Sequence, residues 1–243
     1  MLRFILGRLC YGLLTVWFIA TATFAGMHAV PGDPLLDARA VPPEIRRNLE
    51  ARYGLDQPLA LQYLRYLGNM ARGDFGVSFT QQNREVNDII REHFPVSALL
   101  GVLAIGFAAL GGVFWGVITA RTAGRWPDAL VMFLVVLCIS VPGFVLAALA
   151  QLGVLRLNAW AGVSLLPVAG WGSVAHMLVP ALVLGLGTMA FLTRLMRTSM
   201  LEVRGADFVR TARAKGLSPA RILLRHQLPN AILPVITVLG PAI

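Results

Sequence analysis

Between Arg210 and Pro234 the sequence reads RTARAKGLSPARILLRHQLPNAILP, gathering five cations, Arg210, Arg213, Lys215, Arg221 and Arg225, in a chain with only 14% charged residues. Cations at this density can cradle a phosphate, neutralise nucleic acid or dock another protein. A P-loop requires a Gly-rich turn ending in Gly-Lys-Ser/Thr, whereas Lys215, the only lysine, precedes Gly216. Proton coupling across a membrane needs acidic or histidine groups inside the apolar runs. Here every Asp and Glu lies in a polar segment or at the end of a run, and His28 and His176 stand at run edges. Cys10 and Cys138 are the only cysteines, and both lie in or beside apolar runs. There a thiol behaves as a small hydrophobe, so neither a disulfide framework nor a cysteine metal site is expected. No catalytic residue, metal ligand or cofactor follows from this inventory. The chemistry that remains is recognition.

The elements that must position these cations are legible locally. The run Phe208 to Lys215 is helix-compatible, and Gly216 supplies the left-handed residue that ends many helices. Ser218 offers an N-cap oxygen and Pro219 fills the first position of a second helix, Ala220 to Leu228. On that helix Arg221 and Arg225 share one face, while Ile222 and Leu223 point elsewhere and can pack against another surface. Pro229 and Pro234 mark the return to an apolar segment. A basic amphipathic loop resting on anionic lipid head groups and a protein-docking loop both fit this pattern.

The surrounding chain is built for a bilayer. It has 243 residues, 57% of them hydrophobic, and a mean hydropathy of +0.70, outside the balance of soluble domains. The apolar runs Leu9–Val30, Val96–Ala120, Ala129–Leu155 and Val174–Leu195, and a fifth beginning near Ala231, approach the roughly 20 residues that a helix needs to cross the hydrocarbon. The first run is longer than a signal-peptide core and is followed by Pro31-Gly32-Asp33-Pro34 instead of a small-residue cleavage site, so it reads as a retained span. Between the first two runs, residues 31–94 are polar and carry three soluble-type helix patterns. Pro43 to Tyr53 aligns Ile45, Leu49 and Tyr53 and stops at Gly54; a second helix starts at Pro58 with Leu64 and Leu67 inward; Glu85 to Phe94 aligns Val86, Ile89, Ile90 and Phe94.

Charge then orders the faces. With the N-terminus placed in the cytoplasm, the cytoplasmic loops and span ends hold twelve basic and three acidic residues, and therefore the whole formal charge of +9. The nine basic and nine acidic residues on the other side cancel. This asymmetry is what the positive-inside tendency produces, so nucleic-acid binding is not needed to account for the basicity.

Aligned on Gly216 and Leu228-Pro229, the opening stretch resembles the cytoplasmic "EAA" loop of binding-protein-dependent ABC permeases. It is most similar to the oligopeptide, dipeptide and nickel subgroup, with Arg210, Thr211 and Ala212 at positions of the motif. His226 departs from an isoleucine in the broad pattern, and Pro229-Asn230 stands where many peptide permeases have Arg-Asn. Further segments that resemble the oligopeptide branch occur in order along the whole chain: PGDP at 31–34, YGLDQPLALQYLRYLGNMARGDFGVSF at 53–79, ISVPGFVLA at 139–147, LPVAGWG at 166–172 and SMLEV at 199–203.

The resemblance implies an all-α polytopic bundle of the type I ABC importer (MetI-like) class, most like an oligopeptide permease B-type subunit, with a helical extracytoplasmic cap. The expected organisation is a cytoplasmic end and first span over 1–30, the extracytoplasmic segment over 31–94, and the permease core over 95–243 with a coupling loop at about 197–230. The implied partners are a second homologous permease subunit, two ATPase subunits, an extracytoplasmic peptide-binding protein, peptide substrate and membrane lipid of a bacterial inner membrane. On this reading Ser218 to Leu228 is a coupling helix, and Arg210, Thr211, Ala212, Gly216, Ser218, Pro219, Arg221, Ile222, Leu223 and Arg225 form the ATPase-coupling set. Pro142-Gly143 kinks the third span, and the kink either lines the peptide path with Ser140 and Phe144 or serves packing alone. A dipeptide or nickel permease, or a channel or secondary transporter of the same topology, is the alternative. The family pattern has six spans, and only 14 residues follow Pro229 here. They reach about 21 Å as helix, so the expectation is an incomplete fifth span and no sixth.

Overall fold

A computed structural model of the chain describes residues 1–29, 54, 56–78, 81 and 84–242. The expected helix Pro43–Tyr53 and the PGDP segment lie outside these residues. The chain divides into two units, Met1–Phe94 and Pro95–Ile243.

In the first unit, α1 (Leu2–Ala29) is 28 residues long, about 42 Å at 1.5 Å per residue and more than the ~30 Å of hydrocarbon. Leu13, Trp17, Phe18 and Ile19 are exposed on its different sides and only Ala20 is buried, as befits a helix whose solvent is lipid. Helix α2 (Leu59–Ala71) begins after Pro58, as expected. It meets α1 through aromatic and polar groups: Phe24 lies 5.3 Å from the Tyr63 ring and 5.6 Å from the Tyr66 ring, and the Thr21 and Tyr63 hydroxyls are 2.7 Å apart. Leu64, expected to face inward, is exposed. The tyrosines, able to bury a ring and still satisfy a hydroxyl, take that face.

The expected third cap helix, Glu85–Phe94, is not a separate element. It is the beginning of α3 (Val86–Arg121), which continues through Pro95 for 36 residues. Its expected apolar face is not a buried one, since Ile90 and Phe94 are exposed. The side chain of Asn87 fastens this first turn to the preceding loop, accepting from the Phe75 N–H at 2.9 Å and donating to the Gly73 carbonyl at 2.6 Å.

In the second unit α3 packs on α6 (Val174–Arg204) through a row of small residues. Ala104, Ala108, Gly112 and Gly116 recur every four residues and are all buried. A Cβ on Gly112 would stand 2.6 Å from the Leu192 Cβ, and one on Gly116 would stand 2.5 Å from the Met196 Cβ. Gly185 on α6 is equally tight, 2.6 Å from the Ala104 carbonyl oxygen. Such approach is how helices gain packing energy in lipid, where water supplies no drive for them to associate. Ala108, Leu192, Met196, Met200, Ala231 and Val235 make the core around this seam.

The run Ala129–Leu155, expected as one kinked span, is two helices, α4 (Trp126–Ser140) and α5 (Gly143–Ala161). Val141 (φ −87°, ψ 128°) and Pro142 (φ −56°, ψ 138°) between them are extended. Proline biases the residue before it toward extended backbone and cannot donate to the turn behind it, so the ladder breaks instead of bending. The two halves still run in succession along α6: Asp128 in α4 bonds Arg197, and Val154 in α5 shares a cavity wall with Val179.

After α6 come α7 (Asp207–Ala214), α8 (Pro219–Ile222), a π-type stretch Leu223–Gln227, α9 (Leu228–Ala231) and α10 (Leu233–Ala242). The predicted stop near Leu228 does not occur, and helical backbone carries the chain past Pro229. The Leu228 N–H reaches back to the Leu223 carbonyl, a bond one residue longer than the α-helical one. That wider turn relieves the clash that the Pro229 ring would otherwise make with the carbonyl four residues earlier.

Candidate functional site

The cation-rich loop is a folded unit. Val209, Ala212 and Ile222 form a small buried cluster on which Val203 and Leu217 pack. Between α7 and α8, Gly216 has φ +72° and its N–H bonds the Arg213 carbonyl, while the Leu217 N–H bonds the Ala212 carbonyl. This pair of bonds is a Schellman motif, and Leu217 packs against the buried cluster that contains Ala212. Nothing lies within 4 Å of a Cβ built on Gly216, so backbone conformation and not space demands the glycine.

Ser218 stands at the N-cap of α8, yet its hydroxyl makes no capping bond. Only its carbonyl serves, accepting from the Ile222 N–H at 3.0 Å. Pro219 opens α8 as expected. Arg210, Thr211, Arg221 and Arg225 are exposed, with Arg210 3.4 Å from Asp207. Ile222, expected to offer an apolar anchor outward, is 5% exposed and turned into the loop's own cluster. Leu223 packs on the main core. The apolar side chain on the outer face is Leu224, 61% exposed; Phe208, at the start of α7, is also exposed. Leu224 follows Arg221 by three residues and precedes Arg225 by one, a signal that helical spacing contains but that the two preceding leucine-type residues obscure.

A second constellation was not foreseen. Asp128, in the first turn of α4, accepts from Arg197 Nε at 2.7 Å and Nη2 at 2.8 Å, and from the Gly124 N–H at 3.0 Å. The fork geometry fixes both distance and orientation between α4 and α6. Asp128 is buried, so this is a structural clamp with its acceptor sites occupied.

At the α4–α5 break a cavity of about 1100 Å³ opens along α6. Of the residues expected to line a path, Gly143 and Phe144 border it while Ser140 and Pro142 do not. Leu184, Gly187 and Phe191 form the facing wall, with Arg194 toward one end and His176 toward the other. Eighteen residues separate His176 from Arg194, about 27 Å along the helix. The loop that closes the far end is built around Asn158, whose side chain accepts from the Leu165 and Leu166 N–H groups and donates to the Leu166 carbonyl.

Among the described residues five helical segments are long and apolar enough to cross a membrane, the last of them, Pro219–Pro241, beginning within the folded cationic loop; with the broken span beside a cavity they define a multi-pass membrane protein of the transporter permease class. The chain belongs to the family described as binding-protein-dependent transport system inner membrane component, whose model matches residues 112–243, with the corresponding N-terminal component matching residues 1–101. It is 43% identical to the oligopeptide transport system permease protein OppB of Haemophilus influenzae over all of this chain and 78% of that protein. It is 42% identical to the dipeptide transport system permease protein DppB of Bacillus subtilis, covering 99% and 76%. Against OppB of Escherichia coli K12 the identity is 41%, covering 100% and 78%.

Proposed function

We infer that this chain is the transmembrane permease subunit of an ATP-driven ABC importer for peptides, forming the translocation path and coupling to separate ATPase subunits. The observation that carries the reading is the similarity over essentially the whole chain to oligopeptide and dipeptide permeases. Oligopeptides are the proposed substrate and dipeptides the alternative. The proposed assembly contains a second permease subunit, two ATPase subunits and an extracytoplasmic binding protein, and hydrolysis belongs to the ATPases.

In this assembly the N-terminus and the 197–230 loop are cytoplasmic and residues 31–94 are extracytoplasmic, which puts the net charge of +9 on the cytoplasmic side. The loop docks in a groove of the ATPase. Leu224 is the apolar anchor and Arg221 and Arg225 set orientation, as expected of a helix in a groove. Ile222, Leu217 and Gly216 hold the shape that presents them. The cavity beside Gly143 and Phe144 is part of the peptide path; its walls are mainly apolar, which suits passage of many side chains with little selection among them.

The test is ATP-dependent uptake of a labelled peptide by vesicles carrying the reconstituted assembly. Leu224→Asp with Arg225→Glu would place one unpaired charge in the groove and reverse another, weakening ATPase binding by at least about tenfold. Uptake and ATPase pull-down are then lost while the second permease still copurifies. ATPase retention at wild-type affinity would sink the docking role, and absence of peptide uptake in the unaltered assembly would sink the substrate.

A further inference from the structure

Arg121 ends α3, Arg204 ends α6 and Arg213 lies in the last turn of α7, and the three converge on a cavity of about 360 Å³ beneath the loop. None of them makes an ion pair or hydrogen bond through its side chain among the described residues. The three helix ends bring partial negative charge of roughly half a unit each, which leaves about half of the positive charge uncompensated. A fourth polar group faces the same space. Gln227 is only 9% exposed, lines the cavity, and its side-chain amide makes no hydrogen bond among the described residues. No buried side-chain polar atom of the described residues lacks a partner, so this amide opens onto the cavity and is available to a ligand there. Gln227 is the last residue of the π-type stretch, the backbone irregularity that often accompanies a binding site.

We propose that this cavity binds a phosphate group. Guanidinium groups pair phosphate oxygens with charge-assisted, often bidentate bonds, and the amide N–H of Gln227 adds a neutral donor. The remaining wall, including Ala120, Met200 and Leu223, is apolar. It stands where α3 and α6 leave their apolar runs, the level of lipid head groups. The phosphate comes either from the head group of an anionic phospholipid or from a free phosphorylated solute. The Asp128–Arg197 clamp uses a different arginine, and the outward cations Arg221 and Arg225 are outside the cavity.

The experiment measures binding of fluorescent phosphatidylglycerol and phosphatidylcholine to the membrane-extracted protein, with inorganic phosphate as competitor, for wild type, Arg204→Gln with Arg213→Gln, Gln227→Leu, and the charge control Arg125→Gln. The expected result is a phosphatidylglycerol preference that falls at least tenfold in the double variant and several-fold in Gln227→Leu, and is kept in Arg125→Gln. Preference that resists phosphate identifies the lipid as source; phosphate binding without lipid discrimination, lost in the same variants, identifies the free anion. Equal binding of both lipids with no phosphate binding, an equal loss in Arg125→Gln, or binding unmoved by Gln227→Leu overturns the proposal. So does a double variant whose sole defect is loss of an acidic partner subunit.

Discussion

At the scale of single residues, Gly216 carries the clearest conformational demand in the loop. Its φ of +72° is forced by the two Schellman bonds, and the space around its missing side chain is open. Gly216→Val therefore strains the backbone by ~1 kcal/mol or more without a steric clash. The expected outcome is weakened ATPase association with normal membrane insertion, read by copurification and by membrane fractionation. Normal substrate-stimulated ATP hydrolysis by the assembled variant would contradict it. Ile222 shows the converse relation between position and role. Its apolar character suggested an outward anchor, and its burial against Val209 and Ala212 makes it a support for the turn instead.

Among the elements, the α3–α6 seam depends on the absence of side chains. Gly116→Ala would bring a methyl group to 2.5 Å from the Met196 Cβ and 2.9 Å from the Thr193 carbonyl oxygen, neither of which is a flexible side-chain end. Overpacking of this kind costs about 1–3 kcal/mol. Gly101, on the same helix, has nothing within 4 Å of a built Cβ. Thermal unfolding in detergent should show a lowered midpoint for Gly116→Ala and no loss for Gly101→Ala; equal midpoints would mean that the seam is not tightly closed. The neighbouring pair α4 and α5 uses the other device, a backbone break at Val141-Pro142, to leave room along α6 instead of filling it.

For the whole molecule, the proposed orientation follows from charge alone and has a direct measurement. In a chain with Cys10 and Cys138 replaced by serine, a cysteine at Leu59 is expected to react with an impermeant thiol reagent added outside intact cells, and one at Ala220 is not. Both positions are exposed, so protection by folding does not confuse the readout. Labelling at Ala220 from outside would reverse the arrangement, and with it the placement of the proposed coupling loop.

Features that depend on neighbours along the chain are legible without a structure. Apolar run length marked the spans, Gly216 and Pro219 marked the turn and the helix after it, and the order of motifs marked the family. Even Pro142 was visible as an interruption, because its missing N–H is a local fact. Whether that interruption bends a helix or separates two is decided by the extended backbone at Val141 and Pro142, which appeared only in three dimensions. The same holds for the long α3, whose early turns looked like a separate cap helix, and for Pro229, absorbed by a π-type turn. Asp128 and Arg197 are 69 positions apart, and Gln227 meets Arg121 only because the chain returns to the end of α3. Side-chain chemistry names the possible partners, but tertiary packing chooses among them, because burial and distance decide which charge is paired and which is left for a ligand.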